Sequence, residues 1–485
     1  AIVWVRAPFS VVVSIGVGCG KAAIVWVRAP GVRETFGSGL SGRIAPDRRK
    51  LDTTKGAEDP RFFDSSTRNP GPTRMLGKVF KAYDIRATYP DPLNEPMAWQ
   101  IGYGCGTFLL GDAAAAGEST PMMKQVVVGH DMRTHSPKLR DALCKGITDS
   151  NASVIDVGMV DTPFVYFAIN HLDCAGGVQV PASHNPPQYN GMKVSKRKAK
   201  PVGESTGLGE VRKHAAMVEA NAKGKGKGKV EKRDLWDAYR EHVLSFCKTQ
   251  GKKIKVVIDA SNGMAGTMVP KVFGKGGANV KGLQIVELYF DNSKGVFVHE
   301  PNPLVAANLK DLQAKVLSEK ADFGICFDGD ADRLMVVDEQ GKIVGCDHLT
   351  AWLASWFLKT NKGSTIVYDL RSSKAVEEDV TKAGGKPLRS RVGHVFMKAN
   401  LAEHHAVFGG ELSGHFYFAG NFNADSGAIA LSVLLTAWVE CGCKPMSKLI
   451  APIARYKQSG EINFEVEDKD GALARLKEEF GSGPG

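Results

Sequence analysis

The chain has 485 residues, 43% of them hydrophobic and 24% charged, the composition of a soluble globular protein with material for three or four ordinary domains. No run of about 18 apolar residues occurs, which excludes a membrane-spanning helix. The formal net charge of +11 suits anionic ligands, but much of it sits in two lysine-rich runs, 193–200 and 223–229, with no interleaved aromatic residues, which counts against nucleic-acid recognition.

The first 74 residues stand apart. AIVWVRAP at 1–8 recurs verbatim at 23–30, and two copies do not make a solenoid. The segment reads either as a targeting peptide, bearing Arg and Ser with no acidic residue before Glu34, or as an artefact of gene prediction. It is expected to be poorly ordered. Nine cysteines are scattered without a CxxC pair. They read as reduced thiols of a cytoplasmic protein.

Order is expected from Met75. Residues 79–86 (VFKAYDIR) read as an opening strand and turn. Residues 125–129 (QVVVG) form a buried strand with His130-Asp131-Met132-Arg133 at its end, and Ser136 caps a helix with Pro137 in its first position. A strand over 153–157, a helix over 162–169 and a strand over 177–180 follow. This alternation predicts a parallel or mixed sheet with helices on its faces. At the last strand's end, Pro181-Ala182-Ser183-His184-Asn185-Pro186-Pro187 is a stiff loop that presents Ser183 to solvent, and Lys193 returns shortly after it. Ser183 is a candidate nucleophile or phosphate carrier; the plainer reading is a Ser/Asn turn. No GxSxG elbow supports acyl chemistry. The Lys-Gly alternation over 223–229 reads as a flexible surface loop.

A helix with Trp236, Tyr239 and Val243 opens a second unit. Strands over 253–259 and 283–290 follow, with a helix starting at 261–266 between them. An extended loop over 295–303, a helix over 304–319 and a buried strand over 321–327 complete the approach to Asp328-Gly329-Asp330-Ala331-Asp332-Arg333. Three Asp at alternate positions in a tight loop can converge on a hard cation, Mg²⁺ by ligand type and number. Arg333 would face an anion held there. The other readings are a solvated acidic turn and a calcium loop, the latter opposed by flanking strands and by the lack of Glu at the twelfth loop position. A third unit has helices over 351–359 and 372–383, a strand over 365–370, a helix opening at 392–398, and a strand over 406–408. That strand ends in Gly409-Gly410-Glu411-Leu412-Ser413-Gly414-His415. Glu411 and Ser413 there could bind vicinal hydroxyls, or the segment could be a plain hairpin turn. Each unit thus places a polar loop at a strand end, where ligands collect in open α/β sheets. Together the loops describe phosphoryl transfer on a sugar.

Over about 76–466 the three loops, with 80–86, 299–303 and 459–463, resemble the α-D-phosphohexomutases, near the phosphomannomutase/phosphoglucomutase branch. The resemblance implies an α/β fold of three similar mixed-sheet domains plus a truncated fourth around a central cleft. The expected boundaries are a 1–74 extension, a phosphoserine-loop domain 75–232, a metal-binding domain 233–344, a sugar-binding domain 345–453 and a remnant of a phosphate-binding domain 454–485. It implies reversible transfer of phosphate between C1 and C6 of a hexose through a phosphoserine at Ser183, with glucose or mannose 1,6-bisphosphate as activator. Mg²⁺ would bind Asp328, Asp330, Asp332 and the phosphate on Ser183. Arg333 would stabilise the transferring group, and Arg86, His184 and Lys193 would serve as acid/base or charge partners. Glu411 and Ser413 would read sugar hydroxyls, with His394, His415 and Arg371 close by. The expected partners are hexose phosphates, with no nucleic acid and no membrane, for a monomer or weak dimer.

Three departures qualify this. Leu412 stands where the phosphoglucosamine branch tends to carry Gln, which disfavours glucosamine without choosing between glucose and mannose. Arg371 replaces the Lys of many relatives; charge is kept and geometry changes. The family's fourth-domain phosphate loop has no counterpart before Gly485, where only a strand over 461–466 and a helix over 472–480 are expected. The alternative readings are therefore a catalytically impaired fragment or sugar-phosphate sensor, and a phosphatase that needs no bisphosphate. Remote phosphate contacts orient a substrate for reaction, so weak hexose phosphate binding and slow turnover are expected. A steady-state assay with glucose 1-phosphate checks this, and near-normal turnover refutes it.

Overall fold

The computed structural model describes residues 72–218, 222–457 and 466–480. The repeat at 1–30, the 459–463 stretch and all but the last residue of the strand expected at 461–466 lie outside the described residues. Three mixed sheets follow one another along the chain. The first contains β1 (Ile85–Thr88), β2 (Gln125–His130), β3 (Ser153–Met159), β4 (Gly176–Val180), β5 (Tyr189–Lys196), β6 (Lys200–Pro201) and β7 (Val230–Lys232). Its order is β1-β5-β4-β2-β3-β7, with β6 on β5. The second runs β12-β11-β10-β8-β9 from β8 (Ile254–Asp259), β9 (Leu283–Leu288), β10 (Phe323–Phe327), β11 (Leu334–Asp338) and β12 (Ile343–Val344). The third runs β14-β13-β15-β16-β17 from β13 (Thr365–Asp369), β14 (Lys386–Ser390), β15 (Phe408–Gly410), β16 (Phe416–Phe418) and β17 (Ala424–Asp425).

The strands that lead to the polar loops are covered on both faces. Every residue of β4, β10 and β15 is buried, as expected of strands flanked by helices. The opening differs from expectation: Val79 ends a helix (Pro72–Val79) and the strand begins only at Ile85. Ser136 is the first helical residue rather than the cap; His135 takes that position.

Two long helices have no counterpart among the predicted elements. Glu95–Ala115, capped by Asn94, packs on Ser136–Asp149 backbone to backbone. A Cβ at Gly102 would lie 2.1 Å from Leu143 O, and one at Gly146 would lie 2.0 Å from Trp99 O. These glycines are the contact surface. Gly427–Glu440 is buried along its whole length save Glu440, so it shows no amphipathic period. The Lys-Gly run is not a free loop. Val154 N donates to Lys229 O at 2.7 Å, and Gly228 N to Thr148 O at 3.2 Å. A Cβ at Gly226 or Gly228 would fall within about 2 Å of the Thr148 or Ala152 carbonyl oxygen. The lysines between them are exposed.

One apolar core runs through the second and third units and takes in the helix Thr162–Leu172 of the first, where Phe164 and Phe167 meet Trp236 and Tyr239. At that seam Asp161, fully buried, accepts a hydrogen bond from Tyr239 Oη at 2.7 Å through Oδ2, while Oδ1 has no partner. Burial pushes its carboxyl up from 3.8 to about 7, against the Tyr239 hydrogen bond. Raised in the folded state, this group lends stability that is complete below about pH 4 and lost as pH climbs through about 7. Asp161→Asn should therefore lose less stability than wild type between pH 5 and pH 8 in urea unfolding. Parallel losses would show that Asp161 does not fold as the neutral acid.

Candidate active site

The three polar loops meet. Gly329 lies so close under the serine loop that a Cβ there would sit 2.2 Å from Ser183 O. Leu334 N donates to Gly414 O at 3.0 Å, and Arg333 and His415 form a backbone bridge. The serine, aspartate and Glu-Ser loops are thus joined through their main chains.

Ser183 follows β4 with φ +47, a left-handed conformation that few non-glycine residues adopt without a cause. It is 3% exposed, not presented to bulk solvent as expected. Its Oγ donates to Asp328 Oδ2 at 2.8 Å and lies 3.4 Å from His184 Nδ1. Arg86 Nη1 donates to Ala182 O at 2.9 Å and also reaches Asn185, while Nη2 pairs with Asp84. Arg86 therefore holds the serine loop. The positive charge of Arg333, then burial, then Arg86 pull the His184 imidazole down to about 2, so it is neutral.

Asp328, Asp330 and Asp332 are buried, with one oxygen of each within 4.8 Å of the others. Lys193, on β5, places Nζ 2.7 Å from Asp330 Oδ2 and 2.6 Å from Asp332 Oδ2. Burial and the two neighbouring carboxylates push Asp328 well up. Against the same burial, Lys193 holds Asp330 below the usual range. Thr162, which the sequence reading missed, donates Oγ1 to Asp330 Oδ2 at 2.5 Å and N to Asp330 O at 3.1 Å. Asp330 Oδ1 is buried with no hydrogen-bond partner. Three convergent carboxylates with an unsatisfied oxygen fit a hard divalent cation. Arg333 Nε stands 3.7 Å from Asp328 Oδ2 and makes no hydrogen bond, free for a further anion.

The Glu-Ser loop is a hairpin turn between the antiparallel β15 and β16, and of its polar residues His415 lines the cleft. Glu411 is buried and turned to its own domain; Oε1 accepts from Gly393 N at 2.9 Å and Oε2 from Tyr417 Oη at 2.6 Å. Although burial opposes it, hydrogen bonds from His415, Tyr417 and Gly393 hold its carboxyl at about 2. Ser413 Oγ is 3.1 Å from His415 Nδ1, and His415 Nε2 is 3.3 Å from Asp332 Oδ1. Against burial, Asp332 raises His415 to about 9, a cation between two acidic loops. Burial and the Lys398 charge lower His394 to about 4. Arg371 pairs with Asp369 at 2.8 Å, and Asp369 Oδ2 also accepts from Leu412 N at 2.9 Å.

Arg86, Ser183, His184, Lys193, Arg333, His394 and His415 all line one cleft of about 1210 Å³. Arg371, Glu411 and Ser413 are not among its lining residues. The cleft is large enough for a sugar phosphate.

Residues 77–219, 237–341 and 346–456 match, in order, the family descriptions "Phosphoglucomutase/phosphomannomutase, alpha/beta/alpha domain I", "domain II" and "domain III". The phosphomannomutase of Escherichia coli K12 is 36% identical over 409 residues, 83% of this chain and 86% of that protein. A protein of Xanthomonas campestris pv. campestris described as "Phosphohexose mutases" is 37% identical, over 84% of this chain and 87% of its own. The crystal structure of a phosphoglucomutase/phosphomannomutase family protein from Burkholderia thailandensis superposes with a TM-score of 0.70 at 29% identity, covering 83% of this chain and 96% of that one. With all three domains matched in order and relatives similar over most of their length, the chain belongs to the phosphoglucomutase/phosphomannomutase family.

Proposed function

We propose that this chain is a phosphohexomutase that moves phosphate reversibly between C1 and C6 of mannose or glucose phosphates. The observation that carries the reading is Ser183 Oγ at 2.8 Å from an oxygen of the buried aspartate cluster, inside a cleft shared by three domains. A serine there can carry a phosphoryl group beside a cation site, an arrangement suited to transfer rather than to acyl chemistry.

The phosphoryl group on Ser183 Oγ passes to a free hydroxyl of a bound hexose phosphate. The bond from phosphorus to Oγ breaks, a bond to the sugar oxygen forms, the hydroxyl proton leaves for a base, and Oγ takes up a proton to become the serine hydroxyl again. His184, neutral and 3.4 Å from Oγ, would take the role of base once the charge of the seryl phosphate offsets that of Arg333, which holds its imidazole down. The product is a hexose 1,6-bisphosphate. It turns within the cleft and returns its other phosphate to Ser183. Asp328, Asp330 and Asp332 would hold Mg²⁺, whose charge offsets that of the seryl phosphate. Arg333 and Lys193, beside the same aspartates, would stabilise negative charge as it shifts. Arg86 keeps the serine loop closed, while Ser413, His394 and His415 meet the sugar. Glu411 acts through the loop that it anchors.

Incubation with glucose 1,6-bisphosphate and Mg²⁺ should add one phosphate to the intact mass of the protein, placed on Ser183 by fragmentation and absent from Ser183→Ala. Wild-type protein that stays unmodified would sink the reading. Asp330→Asn removes a ligand whose second oxygen is already fixed by Thr162. It should weaken Mn²⁺ binding, measured by electron paramagnetic resonance titration, by about 10- to 100-fold. An unchanged affinity would place the cation elsewhere.

A further inference from the structure

The His130–Arg133 stretch at the end of β2 has no part in the chemistry above, yet it holds the reacting serine from below. Arg133 is fully buried, with its side chain 0% exposed. Its Nε and backbone N both donate to Asp131 at 3.1 Å. Its guanidinium then spans the serine loop: Nη1 donates to Pro186 O at 2.7 Å, and Nη2 to Asn185 O at 2.7 Å and Ser183 O at 3.1 Å. Asp131 Oδ2 accepts from Ala182 N at 3.2 Å. One ion pair therefore binds main-chain groups of four loop residues around a serine whose φ is +47. A non-glycine residue keeps such a conformation when its surroundings over-determine it. A planar fork is suited to this task, because its two terminal nitrogens reach three carbonyls spread along the loop while Nε keeps Asp131, a span that a compact ammonium does not match.

The other face of the guanidinium stacks on Phe297, 5.0 Å from the ring centroid. Phe297 belongs to the second unit, in the loop between β9 and the helix Lys310–Glu319. Its neighbour Gly295, with φ +62, lies so close to 132–134 that a Cβ would sit 2.8 Å from Met132 O and from Thr134 N. The same guanidinium thus touches both the nucleophile's loop and the domain that carries the aspartates.

We propose that Arg133 is the positioning residue of Ser183, and that through Phe297 it makes the serine loop's geometry depend on the docking of the metal-binding domain. Arg133 is buried away from the cleft and acts only through the loop. The role rests on the reading of Ser183 as the nucleophile, so the test has one arm that needs no activity.

In the full chain, hydrogen–deuterium exchange followed by mass spectrometry should show faster exchange over 182–189 in Arg133→Met. A smaller change is expected in Arg133→Lys and Phe297→Ala, with β2 and β4 protected as in wild type. Where the hexose phosphate assay gives turnover, kcat of Arg133→Met should fall about 100-fold, the cost of misplacing a reacting atom by about 1 Å, with KM unchanged. Unaltered exchange over 182–189 in the variants overturns the proposal. So does a loss of protection spread evenly over the domain with a matching fall in Tm, which would make Arg133 a general scaffold. If Arg133→Met does not fold, Arg133→Lys decides by the same criteria. Wild-type protein without Ser183 phosphorylation would fell the functional reading, while the exchange result would still decide whether Arg133 sets the loop.

Discussion

The constraint on which this structure depends is charge crowding. Three carboxylates converge out of water beside a serine, and burying unpaired carboxylates costs several kcal/mol each. The protein answers with groups brought from other parts of the chain: Lys193 from the first sheet, His415 from the third, Thr162 from a helix that shares its core with the second unit. The acidic loop is therefore tolerable only when all three units are assembled around it. The backbone bridges between loops and the continuous apolar core follow the same logic. Assembly of the cleft and compensation of its charge are one event.

That dependence explains what could be read in the sequence. The three loops were legible because each is a short motif whose chemistry is complete within a few residues: alternate Asp, a Pro-flanked Ser, a Gly-bounded Glu-x-Ser. The strands before them were legible as short apolar runs, and their placement at strand ends followed. Thr162 lies 168 positions from Asp330, and Arg133 lies 53 from Pro186. Nothing local to either residue announces its partner. Glu411 was expected to face substrate, and the sequence held no sign that Tyr417 and Gly393 would claim its oxygens.

The missed helices failed for a different reason. Glu95–Ala115 is rich in glycine because another helix lies against it, and Gly427–Glu440 is apolar on every side because protein surrounds it. Local propensity is a weak prior that tertiary contact overrides. In both, the feature that hid the helix from pattern reading is the one that packs it.

The Lys-Gly run carries this furthest. Seven residues of two types would pass for low-complexity sequence, a compositional accident free to drift. Held at the sheet's edge, it is two interleaved sequences under opposite rules. At Gly226 and Gly228 the neighbouring carbonyls leave no room for any other side chain, while the lysines beside them are exposed. Substitution should then be forbidden at Gly226 and Gly228 and allowed at the lysines, which can accept labels, tags or altered charge while those two glycines cannot change.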